Sequence, residues 1–196
     1  MNHDQTFRLI LIAGALIVLP IAIYHRVQAH GTGETLDRWK EGPFILFTLR
    51  PIGIAVMVGL FTYMVNPARM AWSSMPLPVW LRWMGVVFGV MGGALIVWAF
   101  RNLGKNLTDT VVTRREHTLV TRGPYRWVRH PFYVAVALSM LGNALAAANW
   151  FLLVGGVIVF TLLAIRTRIE EAQLAARFGG AYRTYLDRTG RYIPRI

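Results

Sequence analysis

From Phe132 to Ile165 the chain reads FYVAVALSMLGNALAAANWFLLVGGVIVFTLLAI, 34 residues without one charged side chain. As a single helix this run would extend about 51 Å, well beyond the ~30 Å hydrocarbon core of a bilayer. Two tightly turned helices fit it better. Asn143 and Asn149 are the only amide side chains within it. Working outward, Phe7 to Tyr24 is nearly free of polar side chains, Phe44 to Val65 holds one charge at Arg50, and Val79 to Phe100 holds one at Arg82. Each is long enough to cross as a helix, which takes about 20 residues. Five stretches that are apolar all round leave too little polar face for a water-soluble bundle of this size. The expected fold is therefore all-α: a polytopic membrane helical bundle of five transmembrane helices with a cytoplasmic C-terminal helix and tail. Phe7 to Tyr24 lacks a small-residue cleavage site after its apolar core, so it reads as an anchor and not as a signal peptide. No internal repeat, low-complexity tract or interdomain linker is evident. The chain reads as one domain over 1–196, with spans in 1–100, a polar loop at 101–131, a helical hairpin at 132–165 and a helix and tail at 166–196.

Charge sets the expected orientation, because short loops rich in Lys and Arg stay cytoplasmic. The segment from Arg101 to Pro131 carries Arg101, Lys105, Arg114, Arg115, Arg122, Arg126 and Arg129, and the tail adds Arg166, Arg168, Arg177, Arg183, Arg188, Arg191 and Arg195. The turn inside the 132–165 hairpin has none. Arg26, Arg38 and Lys40 place the first loop on the same basic side, whereas the loop from Asn66 to Pro78 offers only Arg69. Five alternating spans satisfy this pattern with the N-terminus outside and the C-terminus in the cytoplasm. The net charge of +12 then reflects topology and attraction to anionic lipid headgroups, and does not point to nucleic acid. Cysteine is absent, which removes disulfides, thiolate nucleophiles and cysteine metal ligands. No two of His3, His25, His30, His117 and His130 have the i, i+4 spacing of a helical metal site, so no metal is expected.

The densest polar chemistry lies between His117 and Tyr133. Gly123-Pro124 is a turn signal that positions Tyr125 and the arginines after it. His130 precedes Pro131, which pushes His130 away from helical angles and suits Pro131 to the first position of a helix. The free N–H groups of that helix start favour an anion such as a carboxylate, next to Tyr133. The plainer alternative is that His130 caps the helix while Tyr125, Trp127 and Tyr133 form an aromatic belt. In the tail, Ile165 to Phe178 continues the last span as a helix, and Gly179-Gly180 ends it. Arg166, Glu170 and Leu174 share one face by i, i+4 spacing. Glu170 and Glu171 are two of only nine acids in the chain. They suit either an ordinary ion pair or the hydroxyls and ammonium of a polar cofactor.

Taken together, His117-Thr-Leu-Val120, Gly123-Pro-Tyr125, Arg129-His-Pro-Phe-Tyr133, Glu170-Glu171 with Leu174, and Phe178-Gly179 followed by Tyr182 and Tyr185 resemble the isoprenylcysteine carboxyl methyltransferase family and its phospholipid methyltransferase relatives. The likeness spans roughly His117 to Pro194; the first three spans match only as generic membrane helices. Ala135 departs from it, standing where the family usually has glycine. The resemblance implies S-adenosyl-L-methionine bound in a cytoplasm-facing pocket, with a lipophilic or small-molecule acceptor arriving from the membrane lipids. It implies cofactor contacts at His117, Thr118, Leu119, Val120, Tyr125, His130, Pro131, Phe132, Tyr133 and Glu170, and a substrate-facing catalytic arginine at Arg166. A carboxylate acceptor needs no base, whereas an amine or thiol would call on His130, Glu171 or a tyrosine. Two other classes stay open: an NADPH-dependent membrane sterol-type reductase with a related Arg-His-Pro-Tyr signature, and a non-enzymatic lipid-binding membrane protein.

Overall fold

The apolar runs form helices, and the computed structural model describes residues 3–30, 43–104 and 118–195. In chain order the helices are α1 (His3–His30), α2 (Pro43–Val65), α3 (Val79–Leu103), α4 (Pro131–Ala147), α5 (Trp150–Phe178) and α6 (Gly180–Arg188), with short 3-10 helices at Pro67–Ser73 and Gly123–Arg126. α1, α2, α3 and α5 are long and apolar enough to cross a membrane, and the chain is an integral membrane protein. The expected fifth span, α4, is apolar but has only 17 residues, about 26 Å of helix. Among the described residues the bundle thus has four full-length candidate spans and one shorter apolar helix.

The 132–165 run does divide in two, and the turn shows how. Ala148 takes a left-handed conformation (φ 49°, ψ 54°) that closes α4. Asn149 follows in extended backbone, and its side-chain oxygen accepts from the Leu152 N–H at 3.1 Å to start α5. Its amide nitrogen donates to Ser73 Oγ at 2.7 Å. Asn149 is 1% exposed, so this polar turn survives at depth because the 3-10 segment after α2 completes its hydrogen bonds.

α4 is held chiefly by α3, and small residues let the two backbones approach. A Cβ on Gly142 would lie 2.4 Å from Gly89 N, one on Gly85 2.6 Å from Ala146 N, and one on Gly92 2.8 Å from the Ala135 carbonyl. Close packing of this kind replaces the hydrophobic driving force that is missing between helices in lipid. Ala135 is fully buried there. Opposite it stands Gly92, which supplies the room that a glycine at position 135 would otherwise give.

Two ends of the bundle result. One gathers the N-termini of α1, α3 and α5 with the C-termini of α2 and α4; the other gathers the C-termini of α3 and α5 with the start of α4. The tail returns to this second end, where Arg129 N donates to the Gly190 carbonyl at 2.9 Å and His130 N to the Arg191 carbonyl at 3.1 Å.

Candidate active site

Pro131 opens α4 as its first residue, and His130 stands at the N-cap with φ −122° and ψ 57°. No side-chain cap is made, so the capping alternative for His130 does not hold. The imidazole is 5% exposed and stacks on the Tyr133 ring, with centroids 5.2 Å apart and planes 20° apart. Its Nε2 lies 3.3 Å from Glu171 Oε1 and its Nδ1 4.0 Å from Glu170 Oε2. The ring therefore bridges the start of α4 to the adjacent glutamates of α5.

Those glutamates have different surroundings. Glu171 is buried and takes Arg129 Nε on Oε1 at 2.9 Å, Arg191 Nε on the same oxygen at 3.2 Å, and Arg191 Nη2 on Oε2. Hydrogen bonding to this carboxylate raises the Arg191 guanidinium above its ordinary range. Arg129 also donates to the carbonyls of Leu186, at 3.3 Å, and Thr189, so α4, α5 and the tail meet at one carboxylate. A group bound by two guanidiniums is ill suited to accept a proton. Glu170 accepts the Tyr133 hydroxyl on Oε2 at 2.7 Å, and its side chain keeps 29% exposure. It is the acid of the pair with an edge left for a ligand. Arg166, one turn earlier on α5, is near enough for its charge to act on the Tyr133 hydroxyl.

The aromatic residues divide similarly. Trp127 is exposed, lies edge-on to Trp98 at 5.6 Å and carries Arg126 over its ring, as an interfacial belt residue does. Tyr125 and Tyr133 are buried, so the belt alternative fails for both. Gly123 (φ 61°) turns the chain into the short helix that holds Tyr125, and a Cβ there would strike the Asn102 side chain at 2.4 Å. The Tyr125 carbonyl accepts the Tyr185 hydroxyl at 2.6 Å. Burial, reinforced by the charge of Glu170, pushes the Tyr125 phenol above its ordinary range, and burial pushes Tyr185 up to about 12. Neither phenol is a base at neutral pH.

Of the residues expected at the site, His130, Pro131, Tyr133, Glu170 and Arg166 come together. Phe132 faces α3, stacked on Phe100 at 5.2 Å. Thr118 is exposed, while Leu119 and Val120 are half-buried in irregular chain leading to Tyr125. His117 lies outside the described residues. Sequence reasoning did not assign Arg129, Arg191 or Tyr192 to the site, and it left Glu171 open as a base, an ion-pair partner or a cofactor ligand. The available signal was the concentration of arginine and tyrosine between Tyr182 and Arg195, in a chain with few acids to receive it.

The residues fit a methyl donor bearing a carboxylate, an ammonium and a ribose diol. Glu170 offers a partly exposed acid, Arg166 a cation beside it, and Leu119-Val120 an apolar wall within the same short stretch of chain as Tyr125.

Comparison with known proteins bears out the resemblance. Residues 84–176 match the model of the isoprenylcysteine carboxyl methyltransferase family. The match begins inside α3, so the third span carries more than generic membrane character, contrary to the reading from motifs. The protein-S-isoprenylcysteine O-methyltransferase of Mus musculus is 31% identical over 128 residues, 64% of this chain and 45% of that protein. That of Schizosaccharomyces pombe is 31% identical over 112 residues, 56% of this chain and 48% of that protein. The chain thus spans about half the length of these curated relatives. A solved structure, that of the eukaryotic intramembrane Ras methyltransferase isoprenylcysteine carboxyl methyltransferase, superposes with a TM-score of 0.59 at 23% identity, covering 95% of this chain and 67% of that one. It establishes the shared fold.

Proposed function

We propose that this chain, which resembles the isoprenylcysteine carboxyl methyltransferase family over residues 84–176, is a membrane methyltransferase that uses S-adenosylmethionine and methylates a lipophilic carboxylate of the prenylcysteine type. The observation that carries the reading is the pairing of the two glutamates. Glu171 is consumed in holding α4, α5 and the tail together, and Glu170 is left half-buried on Tyr133 with Arg166 one turn away.

When bound, S-adenosylmethionine supplies a methyl group on a sulfonium; its transfer to a carboxylate makes an O–C bond as the C–S bond breaks, and no proton moves. This chain's residues accordingly need to bind, align and exclude water. Glu170 holds the ammonium or a ribose hydroxyl, oriented by the Tyr133 hydroxyl. Tyr125, Leu119, Val120, Thr118 and the His130-Pro131 corner form the remaining wall, with Phe132 behind it on Phe100. Arg166 holds the acceptor carboxylate, and alignment of the two reactants supplies much of the acceleration. Among the described residues Glu171 is occupied by two arginines, and Tyr125 and Tyr185 stay protonated, which favours a carboxylate acceptor that needs no base. We place the site on the cytoplasmic side, since exposed Arg101, Arg122, Arg126, Arg168, Arg177, Arg183 and Arg188 all crowd that end.

Glu170→Gln tests the reading. It keeps the acceptor oxygen for Tyr133 and removes the charge. We expect S-adenosylhomocysteine affinity to fall about 10-fold or more, as for loss of a charge-assisted hydrogen bond, with the thermal midpoint in detergent unchanged. Wild-type protein that is stabilised by NADPH and indifferent to S-adenosylhomocysteine would overturn the methyltransferase reading in favour of a reductase.

A further inference from the structure

The last turn of the tail lies along α5 without being part of it. The Tyr192 ring lies 6.0 Å from that of His130 and 5.7 Å from that of Phe160. Its hydroxyl lies 2.7 Å from Thr167 Oγ1. Thr167 is fully buried and donates its own hydroxyl proton to the Leu163 carbonyl at 2.9 Å, so Tyr192 is the donor in the pair. Thr167 adjoins Arg166 and precedes Glu170 and Glu171 by three and four residues, on one side of the helix. One residue back, Arg191 binds Glu171 through its side chain and accepts the His130 N–H on its carbonyl.

From this geometry we propose that Tyr192 is a positioning residue. Together with Arg191 it fixes the rotation of α5 against His130, and so sets where Arg166 and Glu170 point. Two anchors one helical turn apart on α5, Thr167 and Glu171, are gripped by consecutive tail residues, and the same tail backbone holds the N-cap of α4. A helix gripped at one point can still turn about its axis; gripped at two, with the neighbouring helix tied to the same strap, it cannot. As to catalysis, this role rests on the methyltransferase reading; as to geometry, it does not.

The test uses the full-length protein in detergent or nanodiscs and two readouts. Hydrogen–deuterium exchange over residues 128–134 reports the grip on His130 whatever the activity. Tyr192→Phe and Thr167→Val should each raise exchange there by about 2- to 10-fold, the range of one net hydrogen bond, and Tyr192→Ala should raise it further. For turnover, with N-acetyl-S-farnesylcysteine as acceptor, each single variant should lower kcat by a similar factor, and S-adenosylhomocysteine affinity should fall by no more than that factor, because Glu170 rides on the same helix as Arg166. The double variant should be no worse than the worse single, because both remove one interaction, and Thr167→Ser should restore the wild-type value. Unchanged exchange in Tyr192→Ala, or losses that simply add in the double variant, would overturn the proposal. Wild-type protein that fails to bind S-adenosylhomocysteine would instead bring down the methyltransferase reading, and the exchange data would still decide the role of Tyr192.

Discussion

The two ends of the bundle use arginine in opposite ways. At the end that gathers the α2 and α4 C-termini, arginines serve backbone carbonyls that their own helices leave unpaired. Arg8 of α1 donates to Met64 O at 2.6 Å and Val65 O at 2.7 Å, closing α2. Arg82 of α3, 7% exposed, donates to Ala146 O at 3.0 Å and pairs with Asp4 at 2.6 Å while its guanidinium covers the Phe7 ring at 4.2 Å. At the other end, Arg129 and Arg191 converge on a carboxylate beside a second acid that keeps an open edge. A cation spent on helix ends supports the scaffold, whereas cations gathered around one of two adjacent acids leave the other partly open.

Glu171→Ala should break this contrast most strongly. It strands Arg129, Arg191 and His130 together, and about 3 kcal/mol of stability should be lost, the range for removing one partner of a buried ion pair. Limited proteolysis should then cut the tail after Phe178, and S-adenosylhomocysteine binding should fall along with stability. An intact, protease-resistant tail would show that Glu171 is not the tie. Arg82→Ala comes next. Loss of a charged hydrogen bond to Ala146 should cost about 2 kcal/mol, lowering the thermal midpoint while cofactor affinity at temperatures below unfolding stays at the wild-type value. A selective loss of affinity would mean that the two ends are coupled through α3 and α4. Arg8→Ala should have the smallest effect, about 1 kcal/mol, since its contacts lie partly in solvent; a larger drop in midpoint would make α1 a structural keystone of the bundle.

Much of the scaffold was legible from local pattern. Apolar length marked α1, α2, α3 and α5, and Gly179 ended α5 with φ 53°, as a glycine after a helix does. The length of the charge-free run marked a helical hairpin, though not the place of its turn. The shortness of α4 was not legible, because apolar residues continue on both sides of the turn. Its end is fixed by Ala148 and by the docking of Asn149 on Ser73, a residue 76 positions away in sequence. At the candidate site, the order of motifs pointed to His130, Tyr133, Glu170 and Arg166 through family resemblance, and the fold brings these four near one another. The partners that distinguish Glu171 from Glu170 lie 20 to 42 positions distant, beyond the reach of helical periodicity.

The sequence by itself determined that this chain enters a membrane, where its helices run and which stretches hold polar groups, because hydrophobic length and short-range backbone chemistry act over a few residues at a time. Only the tertiary structure decided which glutamate is a structural tie and which is left open, and that the tail's Arg191 and Tyr192 hold His130 against α5. Adjacent residues of identical chemistry differ only in what the rest of the chain brings to them, and that is set by packing.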